Sequence, residues 1–261
     1  MISFRRSPFF VWIYFFVALP LVLAESAYAM KEPMNTILEP VDRLDHVWEN
    51  RGESWKGRHE AILLRNRQGP VDLIFLGDSI THSWEPPGEG GAIWTAIYEP
   101  LNAVNMGYGG DRIQHLLWRL ENGEVDGISP KVAVVMIGTN NSQANTVEAI
   151  ADGVGEVCRQ MRMRLPETKV LLLAIFPRVS ENPIAGAAVA LANTKIAALD
   201  DGEWIHYLDI GDAFREPGGW LRKDLLPDGL HPNAEGYAVW HNAMREKLGE
   251  MLGDPICEWP P

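Results

Sequence analysis

Cysteine is scarce. Only two occur in 261 residues, Cys158 and Cys257, and neither lies near histidines or acids at metal-ligand spacing. A cysteine-based zinc site is therefore not suggested. An exported chain could pair the two, and the pairing stays open at this point. Cys158 falls within a helical pattern, where it suits a buried apolar role. Basic residues are also few: 23 Lys and Arg stand against 35 Asp and Glu, for a net charge of −12. Affinity for phosphate backbones needs clustered cations, so a general nucleic-acid binder is excluded and an anionic membrane surface is disfavoured. Internal repeats, low-complexity tracts and interdomain linkers are missing. One domain with an extension fits this length, and a composition of 46% apolar and 22% charged residues suits a globular chain.

The extension is the first 29 residues. Arg5 and Arg6 form a positive start, Pro8 to Ala24 is almost wholly apolar, and Ala27-Tyr28-Ala29 supplies a small-x-small cleavage pattern. Residues 1–29 are therefore expected to be a signal peptide, cleaved near Ala29. The rest, 30–261, would be exported to the periplasm or beyond, with no stable membrane association afterwards. The apolar run is long for a signal peptide, so an uncleaved anchor is the alternative.

Tryptophan is abundant, with ten residues. Such rings fill large cores, and they also stack on the apolar faces of sugars or acyl groups. Beyond an irregular lead-in over 30–45, short apolar runs and helical patterns alternate. Val71–Leu76, Ala103–Met106, Val132–Ile137, Val170–Ile175 and Trp204–Leu208 read as strands. The second half of 46–66, a short segment 93–98, and 112–121, 146–164, 183–199 and 234–252 read as helices, with Thr146 as an N-cap. Five alternations with short turns predict an α/β fold: a parallel sheet with helices on both faces.

Chemistry gathers where the strands end. Gly77-Asp78-Ser79 breaks the first strand and places Ser79 past its carboxyl end, where ligands bind in open α/β sheets. A serine hydroxyl needs a base, and a histidine base needs an acceptor on its other ring nitrogen. Asp228-Gly229-Leu230-His231 holds such a carboxylate and imidazole three residues apart on one loop. Acyl transfer also needs donors aimed at a developing oxyanion. The backbone N–H groups of Ser79 and Gly110 and the side-chain amide of Asn140 are the candidates. Each of these residues could instead be an ordinary turn or cap residue.

The blocks GDSIT, NMGYGGDRIQHLLWRLENGE, VAVVMIGTNN and DGLHP, in that order, resemble the SGNH (GDSL-type) hydrolase superfamily. They look most like the catalytic subunits of the platelet-activating-factor acetylhydrolases and their exported bacterial relatives. The resemblance runs from about Trp55 to about Leu252. It implies a three-layer α/β/α sandwich with a five-stranded parallel sheet of flavodoxin-like form. It implies Ser79 as nucleophile, Asp228 and His231 as the rest of a triad, and an oxyanion hole from Ser79, Gly110 and Asn140. GDSIT departs from GDSL without touching Ser79. No long apolar lid is present, unlike in lipid-cleaving relatives.

The expected activity is therefore hydrolysis of short, acetyl-type esters, with O-acetylated carbohydrate as the favoured substrate. A phospholipid or lysophospholipid is the alternative, and a non-catalytic carbohydrate-binding protein ranks lower. No metal or organic cofactor is expected, and relatives of this type can form homodimers. Trp84, Tyr108 and Arg112 flank the expected pocket. Trp84 and Tyr108 could meet substrate or simply pack; Arg112 could meet substrate or pair with Asp78 or Asp111. Asp78 could orient the Ser79 turn, and His82, His115 and His206 read as structural or surface residues.

Overall fold

The structure is a computed structural model that describes residues 36–49, 51–179 and 183–260. The expected signal peptide lies outside the described residues. The lead-in is more ordered than its sequence suggests. Thr36–Leu38 forms a 3-10 turn that inserts fully buried Ile37 into the core. A two-stranded antiparallel hairpin follows, β1 (Val47–Trp48) and β2 (Glu53–Ser54). Ser54 then caps α1 (Trp55–Asn66) by accepting a hydrogen bond from the Gly57 N–H.

From there strand and helix alternate. β3 (Leu73–Gly77) leads into a single helical turn, α2 (Ser79–His82). A short α3 (Gly91–Ile93) runs into a π-helical turn over Trp94–Tyr98, where the sequence reads as one short helix. Then come β4 (Ala103–Gly107), α4 (Ile113–Glu121), β5 (Val132–Met136), α5 (Val147–Arg164), β6 (Lys169–Leu173), α6 (Pro183–Ile196), β7 (Ile205–Leu208) and α7 (Ala234–Leu252). The expected strands and long helices all form, with ends moved by one or two residues, except that α6 stops at Ile196 and a 3-10 turn, Ala197–Leu199, completes the expected span. Thr146 caps α5 by accepting from the Ala149 N–H.

The main sheet has five parallel strands in the order β4-β3-β5-β6-β7. Its residues alternate between two cores. Leu73 and Phe75 face one side with Val132, Val134 and α7, while Ile74 and Leu76 face the other with Ala133, Val135, α4 and α5. Burial on both faces is why these strands read as continuous apolar runs. The product is the expected three-layer sandwich in the doubly wound, flavodoxin-like order. In that order β3 and β5 flank the point where the chain reverses direction across the sheet, and a crevice opens there at the strands' carboxyl ends.

One glycine lets the layers close at this rim. A Cβ on Gly107 would lie 2.2 Å from the His82 backbone N, so only glycine admits α2 against the end of β4. Both cysteines are unpaired: Cys158 is buried on α5 and Cys257 is exposed in the tail. Burial pushes the Cys158 thiol up to about 12, so it is chemically quiet.

Candidate active site

Three loops bring chemistry to the reversal point. Ser79 follows β3, Gly110 follows β4 and Asn140 follows β5. The loop before α7 supplies Asp228 and His231. All five residues line one open cleft of about 600 Å³.

The Ser79 Oγ lies 2.9 Å from His231 Nε2, although 152 residues separate them. His231 Nδ1 lies 2.6 Å from Asp228 Oδ2. A carboxylate only accepts, so Nδ1 carries the proton and Nε2 is left bare to accept the serine hydroxyl. Asp228 uses its other oxygen to hold the loop. Oδ1 accepts the N–H groups of Leu230 at 2.9 Å and His231 at 2.7 Å. Burial opposes the charge on Asp228, but the hydrogen bonds from His231 and from the two backbone N–H groups outweigh it. Its carboxyl stays below the usual range. Gly229, at φ +79°, makes the tight turn between them.

The oxyanion side is braced from several directions. Gly110 has φ +74°, a region open to glycine and costly for other residues. Its neighbours are tied down. The Gly109 N–H donates to His82 Nδ1 at 3.1 Å, and the Gly109 carbonyl accepts from Arg43 at 2.9 Å and Trp48 at 3.2 Å. His82 in turn places Nε2 3.2 Å from Glu53. Burial lowers the His82 pKa, so the ring is neutral, donates from Nε2 and accepts at Nδ1. His82 is structural, as its sequence suggests, and its structural task is to hold this loop. Asn140 Nδ2 donates to the Asp111 carbonyl at 2.8 Å. Among the described residues, the N–H groups of Ser79 and Gly110 meet no protein acceptor. Asn141, the next residue, is spent on structure: its Oδ1 accepts the first N–H of α4.

Beneath the loop lies a fully buried charge cluster. Arg119 donates to Asp111 at 3.0 Å, to Glu124, to the Met106 carbonyl at 3.2 Å and to the Gly77 carbonyl at 3.3 Å. Its guanidinium also sits 3.9 Å from the Tyr108 ring centroid. Burial lifts the Asp111 carboxyl to about 6, while Arg119 pulls it down, so it remains ionised at neutral pH.

Three sequence expectations need correction. Trp84 is wholly buried, its ring packed edge-on to Phe75, Tyr98 and Tyr237 and tilted against Trp240. Tyr108 is wholly buried under Arg119 and beside Trp55. Neither reaches the cleft, because both side chains point into the layers that support their loops. Arg112 is exposed and does not line the cleft, and Asp111 pairs with Arg119 and Arg43 instead. Arg43 from the lead-in and His46, Trp48 and Arg51 from the hairpin segment after it take the rim, with Ser83 and Glu89 beside them. Their sequence carries no motif that marks them.

Asp78 is also fully buried, and its Oδ1 accepts the Ile80 N–H at 3.0 Å to start α2. Burial first, and the Asp111 charge after it, raise its carboxyl to about 7. The folded protein thus holds a proton that the unfolded chain releases near the ordinary aspartate value of 3.8. The resulting stabilisation is full below that value and fades as pH rises towards 7, worth about 4 kcal/mol at most. Asp78→Asn keeps the acceptor and removes the titration. The variant is expected to gain stability over wild type as pH goes from 4 to 8, measured by urea unfolding at each pH.

A crevice at the reversal point, with a hydroxyl, an imidazole and free N–H donors converging on it, is the layout of an α/β ester hydrolase. The chain belongs to the GDSL-like Lipase/Acylhydrolase family, within the SGNH hydrolase superfamily, and that family's model matches residues 75–239. It is 31% identical over 201 residues to the human platelet-activating factor acetylhydrolase IB subunit alpha2, covering 77% of this chain and 86% of the relative. Solved structures share its fold. A GDSL-like lipase from Bacteroides thetaiotaomicron superposes with a TM-score of 0.63 at 18% identity, covering 74% of this chain and 97% of that one. An acetylxylan esterase from Geobacillus stearothermophilus superposes at 0.53 with 20% identity, covering 70% and 94%. The chain is thus a carboxylic ester hydrolase acting on small-molecule esters.

Proposed function

We propose that this hydrolase removes acetyl groups from O-acetylated carbohydrate through a Ser79-His231-Asp228 triad. His231 Nε2 takes the Ser79 proton as Oγ attacks the ester carbonyl. The N–H groups of Ser79 and Gly110 and the Asn140 amide stabilise the tetrahedral anion. The alkoxide leaves with the proton from His231, and water then cleaves the acetyl-enzyme by the same route in reverse. The observation that carries this reading is the unbroken relay of 2.9 Å and 2.6 Å contacts beside two N–H groups with no protein acceptor.

A second reading, an acetylated glycerophospholipid as substrate, is favoured by the 31% identity to the platelet-activating factor acetylhydrolase subunit. A p-nitrophenyl ester series from acetate to octanoate, together with acetylated xylo-oligosaccharides and 1-O-alkyl-2-acetyl-glycerophosphocholine, separates the two. The carbohydrate reading expects the fastest turnover on acetate and on the sugar esters. Rates that climb with acyl length, or a strong preference for the phospholipid, would sink it. Asn140→Ala tests the oxyanion role on p-nitrophenyl acetate. Loss of one such donor is expected to lower kcat about 100-fold or more, with KM little changed.

A further inference from the structure

The cleft extends beyond the triad on the side of α2. Ser83 follows Ser79 by one helical turn, its N–H donating to the Ser79 carbonyl at 3.0 Å. Residues four apart share a helix face, with Cβ atoms about 5–6 Å apart. Ser83 is thus about one sugar ring from the nucleophile. Its Oγ accepts from Arg51 Nη2 at 2.9 Å. The same nitrogen lies 3.7 Å from Glu89 Oε2, too far for a hydrogen bond. That carboxylate oxygen is buried and has no hydrogen-bond partner. Arg51 thus holds that oxygen as an ion pair, while the Glu89 side chain stays 38% exposed on the cleft wall and accepts no hydrogen bond among the described residues, which leaves its carboxylate free to take one from a ligand.

We propose that Arg51, Ser83 and Glu89 form the subsite for the alcohol half of the ester, and that this alcohol is a polyhydroxylated ring. The inference rests on the esterase reading above and names the leaving group it acts on. Glu89 accepts a ring hydroxyl and Arg51 donates to its neighbour, the complementary pairing that adjacent hydroxyls need. Trp48 supplies a ring to stack against. Its indole N–H is fixed to the Gly109 carbonyl at 3.2 Å, which sets the plane. The lining chemistry opposes a lipid. Among the described cleft residues only Trp48 and Leu230 carry large apolar side chains, and a long alkyl chain would lie against guanidinium and carboxylate groups.

The test compares wild type with Glu89→Gln, Arg51→Met and Ser83→Ala, each checked for folding by circular dichroism. Singly acetylated xylobiose and p-nitrophenyl acetate are the substrates, with 1-O-alkyl-2-acetyl-glycerophosphocholine as the lipid probe. The nitrophenolate leaving group has no hydroxyls to offer the subsite. The ratio of kcat/KM on acetyl-xylobiose to that on p-nitrophenyl acetate is expected to fall at least tenfold in Glu89→Gln and Arg51→Met, mainly through KM. Ser83→Ala, the smallest change, is expected to lower it severalfold and carries the test if Arg51→Met does not fold. An unchanged ratio in the folded variants overturns the subsite. So does a wild type that turns over p-nitrophenyl acetate and the lipid but not acetyl-xylobiose. A wild type inert to p-nitrophenyl acetate and to a fluorophosphonate would instead remove the esterase reading beneath it.

Discussion

Ser79→Ala is expected to lower kcat on p-nitrophenyl acetate by about three to six orders of magnitude. The alanine enzyme retains the oxyanion donors and the binding cleft, so some rate above water should survive. It lacks the only atom that can form the acyl-enzyme. His231→Ala should lose a similar amount. The double variant should lose scarcely more than either single one, since the base has nothing to activate once the hydroxyl is gone. Stability should change little in Ser79→Ala, because among the described residues the hydroxyl's one hydrogen bond is to His231 at 2.9 Å. Burst and steady-state kinetics, with unfolding curves on the same samples, read all of these outcomes. Turnover near wild type in Ser79→Ala would contradict the triad.

Arg119→Met should produce the largest loss of stability, about 3–5 kcal/mol. The guanidinium is fully buried and neutralises two fully buried carboxylates, Asp111 and Glu124. Burial opposes the charge on Glu124, but Arg119 holds its carboxyl below the usual range all the same. Methionine fills much of the volume, takes from Glu124 its arginine and leaves Asp111 with the longer 3.5 Å contact to Arg43. Adding Asp111→Asn and Glu124→Gln should therefore recover part of the loss, since uncompensated charge carries most of the cost. Urea unfolding with an unchanged m-value would measure it. Activity should fall as well, because Asp111 follows Gly110 and its carbonyl receives the Asn140 amide. A loss under 1 kcal/mol would mean that water reaches the cluster.

The sheet was legible because its strands are buried on both faces. Each becomes an apolar run closed by a turn, and the turns fall at one rim in order. The triad and oxyanion candidates were legible for the same reason, being the polar residues at those ends. The rest of the cleft depends on contacts across long stretches of chain. Arg43 reaches Gly109 over 66 residues and Trp48 reaches it over 61, and nothing local marks either. Trp84 and Tyr108 misled because nearness in sequence to Ser79 and Gly110 does not say which way a side chain points. Trp84 leaves the end of α2 towards the α7 layer, and Tyr108 turns down onto Arg119. Arg119 itself lies in plain view on an apolar helix, where an arginine at a core position signals a buried partner.

The most direct test of the account is the site of covalent labelling. The protein would be incubated with a fluorophosphonate at pH 7.5, digested, and its peptides mapped by mass. One adduct per chain, on Ser79, with parallel loss of p-nitrophenyl acetate hydrolysis, is the predicted result. An adduct on another serine, or complete labelling with activity retained, would contradict it.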